Sequence, residues 1–177
     1  MKSKVLIYGS PLLRKHSNML EEAQQQLFQN LYDTLDMEGG IGLAAPQIGV
    51  LKRVFIINTE PIAKYDISVE NFRRLVINPE IVDFSNETSM YNEGCLSIPE
   101  VYEQIKRPNT LRVKYFDEHF NHVDRDISGI EARIFQHEYD HLEGILFIDH
   151  INSFRKAIII NKLKRIQRIG KLMKNHW

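Results

Sequence analysis

The sequence is poor in cysteine and tryptophan, with one of each, and has only 6 prolines among 177 residues. The single cysteine, Cys95, excludes an internal disulfide and with it a disulfide-stapled scaffold. A lone cysteine is most often a small buried hydrophobe, so Cys95 taken by itself says little. No apolar run approaches the ~18 residues that a membrane span needs, so no membrane partner is expected. The start, Met1-Lys2-Ser3-Lys4, carries a basic pair, but Gly9-Ser10-Pro11 breaks its short apolar stretch. It does not read as a secretory signal, and a cytoplasmic location is expected. Net charge is also lacking, with 23 basic residues against 23 acidic ones. Acidic residues vanish after Asp149, where eight basic ones stand: Arg155, Lys156, Lys162, Lys164, Arg165, Arg168, Lys171 and Lys174. The body before them holds the balancing negative excess. A basic tail on an acidic body points to an anionic partner, although a charged helix face is often only solvated.

What is present fits one globular domain: 43% apolar and 26% charged residues. We expect a single catalytic domain over residues 1–150, with residues 151–177 forming a basic amphipathic helix of the same domain. Residues 21–37 predict a helix, with Ala23, Leu27, Leu31 and Leu35 four apart and Phe28 and Tyr32 beside them. Gly39, Gly40 and Gly42 end it. Val54-Phe55-Ile56-Ile57 and Leu75-Val76-Ile77 read as buried strands. Residues 110–116 alternate Leu111, Val113 and Tyr115 with Arg112, Lys114 and Phe116, as a half-exposed strand does. Ser128-Gly129-Ile130-Glu131 has the form of a capping box, so a helix should start at Ser128 and stop near Gly144. Asn152 or Ser153 should cap a last helix whose stripe is Ile159, Leu163, Ile166 and Met173. The fold class is therefore α+β: mixed or antiparallel sheets around a central helix, with an N-terminal helix and a C-terminal amphipathic one.

The central helix carries His137-Glu138-Tyr139-Asp140-His141. Residues four apart lie within ~40° on a helix face, so both imidazoles can reach one ion. Glu138 then sits near a metal-bound water without being a ligand. The five letters alone are only moderately specific; two histidines bonded in a core beside an exposed glutamate would give the same pattern. A catalytic ion needs a third protein ligand and an open position. Downstream sources are nearly exhausted. Phe147 stands where one large group of metalloproteases has its third histidine. No glutamate follows Glu143, which faces elsewhere, and His150 lies beyond the helix end. The third ligand should come from upstream, and Cys95 in EGCLS (residues 93–97) is the candidate, since thiolate and imidazole suit a divalent transition metal. Gly94 would let the backbone come close to metal and substrate. The segment GIGLAAPQ (residues 40–47) has almost no side-chain bulk. A peptide strand could lie on it, although a tight structural turn would look the same.

Together, residues 40–47, 93–97 and QHEYDHLEG (residues 136–144) resemble the three signature motifs of the peptide deformylase family, in that family's order and at about its spacing. The start, Tyr8-Gly9-Ser10-Pro11-Leu12-Leu13-Arg14, is similar too, and the resemblance covers roughly residues 1–150. It implies a metallohydrolase that removes the formyl group from the N-terminal formyl-methionine of nascent polypeptides. It further implies that Cys95, His137 and His141 bind one Fe2+, with Zn2+, Ni2+ or Co2+ as substitutes. Glu138 would be general base and then acid, with Gln47 and the Leu96 N–H as oxyanion donors. Gly40, Ile41 and Gly42 would line the substrate backbone, while Ile41, Tyr91, Ile130 and Ile134 are candidates for the methionine pocket. Similar bacterial enzymes bring a C-terminal helix to the ribosome near the exit tunnel, which would give the basic tail its partner; no DNA partner is implied. Two departures bear on the groove: Tyr91 is bulkier than the aliphatic residue often found there, and residues 60–73 are longer than in the shortest members. Three other readings stay open at this point: a metalloprotease of another type, a catalytically silent ribosome-binding relative, and a cysteine hydrolase.

Overall fold

The continuous apolar run in the second strand shows how the fold is layered. A computed structural model describes residues 3–172. In it Val54, Phe55, Ile56 and Ile57 are all fully buried. Val54 and Ile56 join one apolar cluster, with Leu27, Leu31, Leu35 and Leu75, while Phe55 and Ile57 join another, with Val76, Leu111, Val113 and Phe135. Successive residues of a strand point to opposite faces, so an unbroken apolar run marks a sheet covered on both sides. Helix α1 (Gln25–Glu38) covers one face, and helix α3 (Gly129–Leu142) covers the other.

The sheet has five strands in the order β1-β2-β3-β6-β7: β1 (Gly42–Ala44), β2 (Val54–Asn58), β3 (Arg73–Phe84), β6 (Thr110–Phe116) and β7 (His122–Ser128). A short helix α2 (Glu60–Ala63) follows β2. The hairpin β4 (Thr88–Cys95) and β5 (Ile98–Pro108) forms a separate two-stranded sheet. Every strand pairing in both sheets is antiparallel, so the architecture is α+β without a mixed sheet. The alternation over 110–116 holds, with Leu111, Val113 and Tyr115 buried.

Two local expectations are corrected. Helix α1 starts at Gln25, and Ala23 lies before it and exposed, outside the apolar stripe. Ser128 does stand at the N-cap of α3, but its side chain makes no capping bond. The reason is visible on both sides of the motif. Gly129 takes φ 58° and gives its N–H to the Asn109 carbonyl. The Glu131 carboxylate is drawn away to Arg74 and Arg125 instead of reaching back.

Helix α4 (Ser153–Leu172) is capped by Asn152, whose Oδ1 accepts the Arg155 N–H at 2.9 Å. Its Ile159, Leu163 and Ile166 pack with Ile98, Val101 and Ile105 of β5 and with Phe147 in a third apolar cluster. Met173 and Lys174 lie outside the described residues. Near its end Gly170 is pressed on the chain's start, where a Cβ would stand 2.4 Å from the Tyr8 carbonyl oxygen. Among the described residues no helix is long and apolar enough to cross a membrane.

Candidate metal centre

Helix α3 and the end of β4 bring three donor side chains together. One turn of α3 sets the His137 and His141 rings 5.2 Å apart, centroid to centroid. Cys95 ends β4 at a register slip: Gly94 pairs with Tyr102, yet Cys95 pairs with Ile98. Such a bulge re-aims a side chain, and Cys95 Sγ stands 3.3 Å from His141 Nε2. One ligand atom from each of Cys95, His137 and His141 lies within 4.8 Å of the others. Gly94 lines the cavity, and a second neighbour also excludes a side chain there: a Cβ would meet the Tyr102 ring at 2.5 Å.

The donor set fits a divalent transition metal on its chemistry. A thiolate and two imidazoles fill three positions of a tetrahedral site and leave one open. Glu138 Oε2 and His141 Nδ1 are buried with no hydrogen-bond partner. His137 Nδ1 lies 3.0 Å from Glu93 Oε2, which fixes the tautomer and leaves Nε2 toward the cluster. Burial works against a proton on His137, but hydrogen bonds to Cys95 and Glu93 hold its pKa well above the ordinary imidazole value. His141 is pushed the other way by burial, aided by the charges of His137 and Arg107. A metal must displace the His137 proton, so its uptake releases protons and tightens as pH rises.

Glu138 is buried beside the cluster. Burial pushes its carboxyl up to about 7, against the pull of a protonated His137 and with the help of Glu93 and Asp140. Gly42 is what admits it, since a Cβ at that position would lie 2.3 Å from Glu138 Oε1. A cavity of about 580 Å³ opens over this group. Gly40, Ile41, Gly42 and Gln47 line one wall, Tyr91, Cys95 and Leu96 another, and Ile130, Ile134, His137 and Glu138 the floor of α3. His141 is buried behind them and does not line the cavity. Strand β1 is an edge of its sheet and pairs only with β2 among the described elements. Its residues 42–44 run on from the cavity wall.

The residues weighed downstream do other work. Phe147 stacks on the His137 ring at 6.1 Å, His150 Nε2 lies 2.7 Å from Asp140, and Glu143 pairs with Arg53 at 2.6 Å. What the sequence reading missed is the support beneath His137. Glu93 accepts from Arg107 Nε at 2.7 Å and from Arg133 Nη1 at 2.9 Å as well as facing His137. Arg107 also reaches Asp140 at 2.8 Å. Burial raises the Glu93 carboxyl, but hydrogen bonds from His137 and Arg107 and their charges win and hold it far below the usual carboxylate range. A signal existed for Glu93, an acid two residues before the expected ligand Cys95 in the same short segment, but the register slip between Gly94 and Cys95 means that strand alternation alone does not place it. Arg107 and Arg133 have no comparable local mark.

One cysteine and two histidines able to hold a metal ion, with a buried carboxylate alongside, form the donor set of a metallohydrolase. The chain belongs to the polypeptide deformylase family, which it matches over residues 2–157. It is 38% identical to the peptide deformylase of Christiangramia forsetii over 95% of this chain and 90% of that one. With the peptide deformylase of Pseudothermotoga lettingae the identity is 41%, over 95% of this chain and 94% of the relative. The Plasmodium falciparum peptide deformylase superposes with a TM-score of 0.86 at 32% identity, covering 96% and 98% of the two chains. The Acinetobacter baumannii enzyme, solved with Met-Ala-Ser bound, gives 0.80 at 34% identity over 85% of this chain and 99% of that one. All four of these relatives are named peptide deformylases.

Proposed function

We propose that this protein hydrolyses the formyl amide of N-formylmethionyl peptides to formate and a free N-terminus, with the Cys95, His137 and His141 cluster as its metal site. The observation that carries the proposal is the meeting of these three donors within 4.8 Å beneath an open cavity that Glu138 also lines. Bound there, the metal supplies a Lewis acid that polarises oxygen and makes water acidic near neutral pH. Glu138 takes the proton of the attacking water and hands it to the departing amine. Gln47 Nε2 and the Leu96 backbone N–H donate to the oxygen on which charge develops. The substrate backbone lies along Gly40, Ile41 and Gly42 and extends β1 as an added strand. Ile41, Tyr91, Ile130 and Ile134, which all line the cavity, take the methionine side chain. A formate-release assay on formyl-Met-Ala-Ser tests the activity; release no faster than without protein overturns it.

The ion we assign is Fe2+, with Zn2+, Ni2+ or Co2+ able to replace it, and one is held per chain. Cys95→Ser is expected to lower retained metal at least tenfold on elemental analysis after dialysis, because a hydroxyl is a poor substitute for a thiolate. Retention equal to the parent would point to another ligand. In air the iron form should lose activity and recover it on reloading with Ni2+.

The packing of α4 on β5 supports reading the segment from residue 151 as part of the catalytic domain; we place the protein in the cytoplasm and take the ribosome near its exit as the partner of the basic tail. On that reading only some of the basic residues of α4 are free to meet the partner. Arg155 pairs with Glu103, Lys156 with Asp149, and Lys162 and Arg165 with Glu100. Lys164, Arg168 and Lys171 are exposed and carry no ion pair among the described residues. With three phosphate contacts, log affinity should fall with log salt at a slope of roughly −2 to −3. Reversing these three charges to glutamate should abolish co-sedimentation with ribosomes; equal pelleting removes the idea.

A further inference from the structure

The amide of Gln47 is held on both sides. Gln47 is buried, and its Oε1 accepts the Ala44 N–H at 2.8 Å. Only an oxygen can face that donor, so the orientation of the amide follows from the contact. Nε2 then faces Ser97 Oγ at 3.2 Å and Cys95 Sγ at 3.6 Å. Ser97 is fully buried, and its own carbonyl accepts the Tyr8 N–H at 2.8 Å. The hydroxyl therefore sits on an anchored piece of chain between β4 and β5.

We propose that Ser97 is a positioning residue for the reaction: its hydroxyl takes one of the two amide hydrogens of Gln47 and leaves the other directed at the metal centre beside Cys95. The inference rests on Gln47 being an oxyanion donor. The last torsion of a glutamine is broad and only roughly two-fold, so the chain alone does not aim its amide. Ala44 fixes the oxygen end, and Ser97 fixes the nitrogen end. Without Ser97 the amide keeps one anchor and swings. Ser97 does not touch the substrate; it acts through Gln47.

The test is a double-mutant cycle in the metal-loaded enzyme. Ser97→Ala deletes one oxygen and should lower kcat roughly tenfold or more, since misplacement by about 1 Å can cost ~10²-fold. KM should stay within about twofold, as the substrate loses no contact of its own. Metal content should match the parent. In a Gln47→Ala background the same substitution should change kcat by less than about twofold, because the group it aims is gone. The side-chain amide signals of Gln47, identified by their loss in Gln47→Ala, should shift or broaden in Ser97→Ala. If the alanine variant does not accumulate, Ser97→Gly removes the same hydroxyl and carries the cycle. A Gln47→Ala enzyme as fast as the parent would overturn the oxyanion reading and this inference with it. A slow Gln47→Ala enzyme with a fast Ser97→Ala enzyme overturns the inference alone. So do equal losses in both backgrounds, or a loss of metal in Ser97→Ala.

Discussion

Replacing Glu138 by glutamine is expected to cost about 10³- to 10⁴-fold in kcat, the upper range for removing a group that serves as both base and acid. Metal content should not change, because Glu138 is not one of the three clustered donors. The same substitution should leave the metal-free protein as stable as the parent or more so, and that stability will depend on pH. The Glu138 carboxyl titrates at about 7 in the fold against 4.5 ordinarily, chiefly because it is buried. A group with a raised folded-state pKa lends its stability below the unfolded value and loses it as pH rises through the folded one. Parent and variant should therefore melt together at pH 4 and separate above pH 7, with the variant higher. A divalent cation beside Glu138 opposes the shift and narrows the gap. The acid limb of kcat/KM should accordingly fall between the ordinary carboxyl value of 4.5 and the value of about 7 to which burial raises it. Turnover of Glu138→Gln at the parent rate would remove Glu138 from the chemistry.

Replacing Glu93 by alanine should produce the largest loss of stability. The carboxylate is buried and satisfies two buried guanidinium groups, Arg107 and Arg133, along with His137. Among the described residues, removing it leaves Arg133 without an acidic partner and Arg107 with Asp140 alone. Breaking a buried ionic network by deleting one member costs about 3–5 kcal/mol, since the charges left behind remain out of water. In a domain of this size that lowers Tm by roughly 10 °C or more. His137 also loses the group that fixes its tautomer, so metal affinity should fall about 10- to 100-fold. Calorimetry with metal titration checks both effects, and an unchanged Tm would mean the network contributes nothing. Glu93 is held far below the usual carboxylate range by His137 and Arg107, in spite of burial. Its contribution is thus present above 4.5 and is lost only as pH falls through that depressed value.

The parts of this molecule that were legible in the sequence obey short-range rules. The four-residue spacing of His137 and His141 follows from helix geometry, and the apolar run at residues 54–57 from a two-faced sheet. Alternation at residues 110–116 placed Leu111, Val113 and Tyr115 inward. What stayed hidden depends on contacts distant in the chain. Arg107 reaches Glu93 and Asp140 across 14 and 33 residues, and Arg133 reaches Glu93 across 40. No local pattern announces such pairs. The capping box at Ser128 misled for the same reason, since Arg74 lies 57 residues from the Glu131 it captures. The second constraint on Gly94, the ring of Tyr102 across the hairpin, was likewise out of reach of the local pattern. The split of the basic tail into spent and exposed charges required the structure of α4 against β5.

The seating of Gly170 on Tyr8, and of Gly9 against Gln167, where a Cβ would stand 2.5 Å from the backbone oxygen, joins the first stretch of chain to the last. During synthesis the third apolar cluster stays open until the segment carrying Leu163 and Ile166 has emerged. This catalyst, which works on unfinished chains, cannot close its own interior until helix α4 has left the ribosome in its turn.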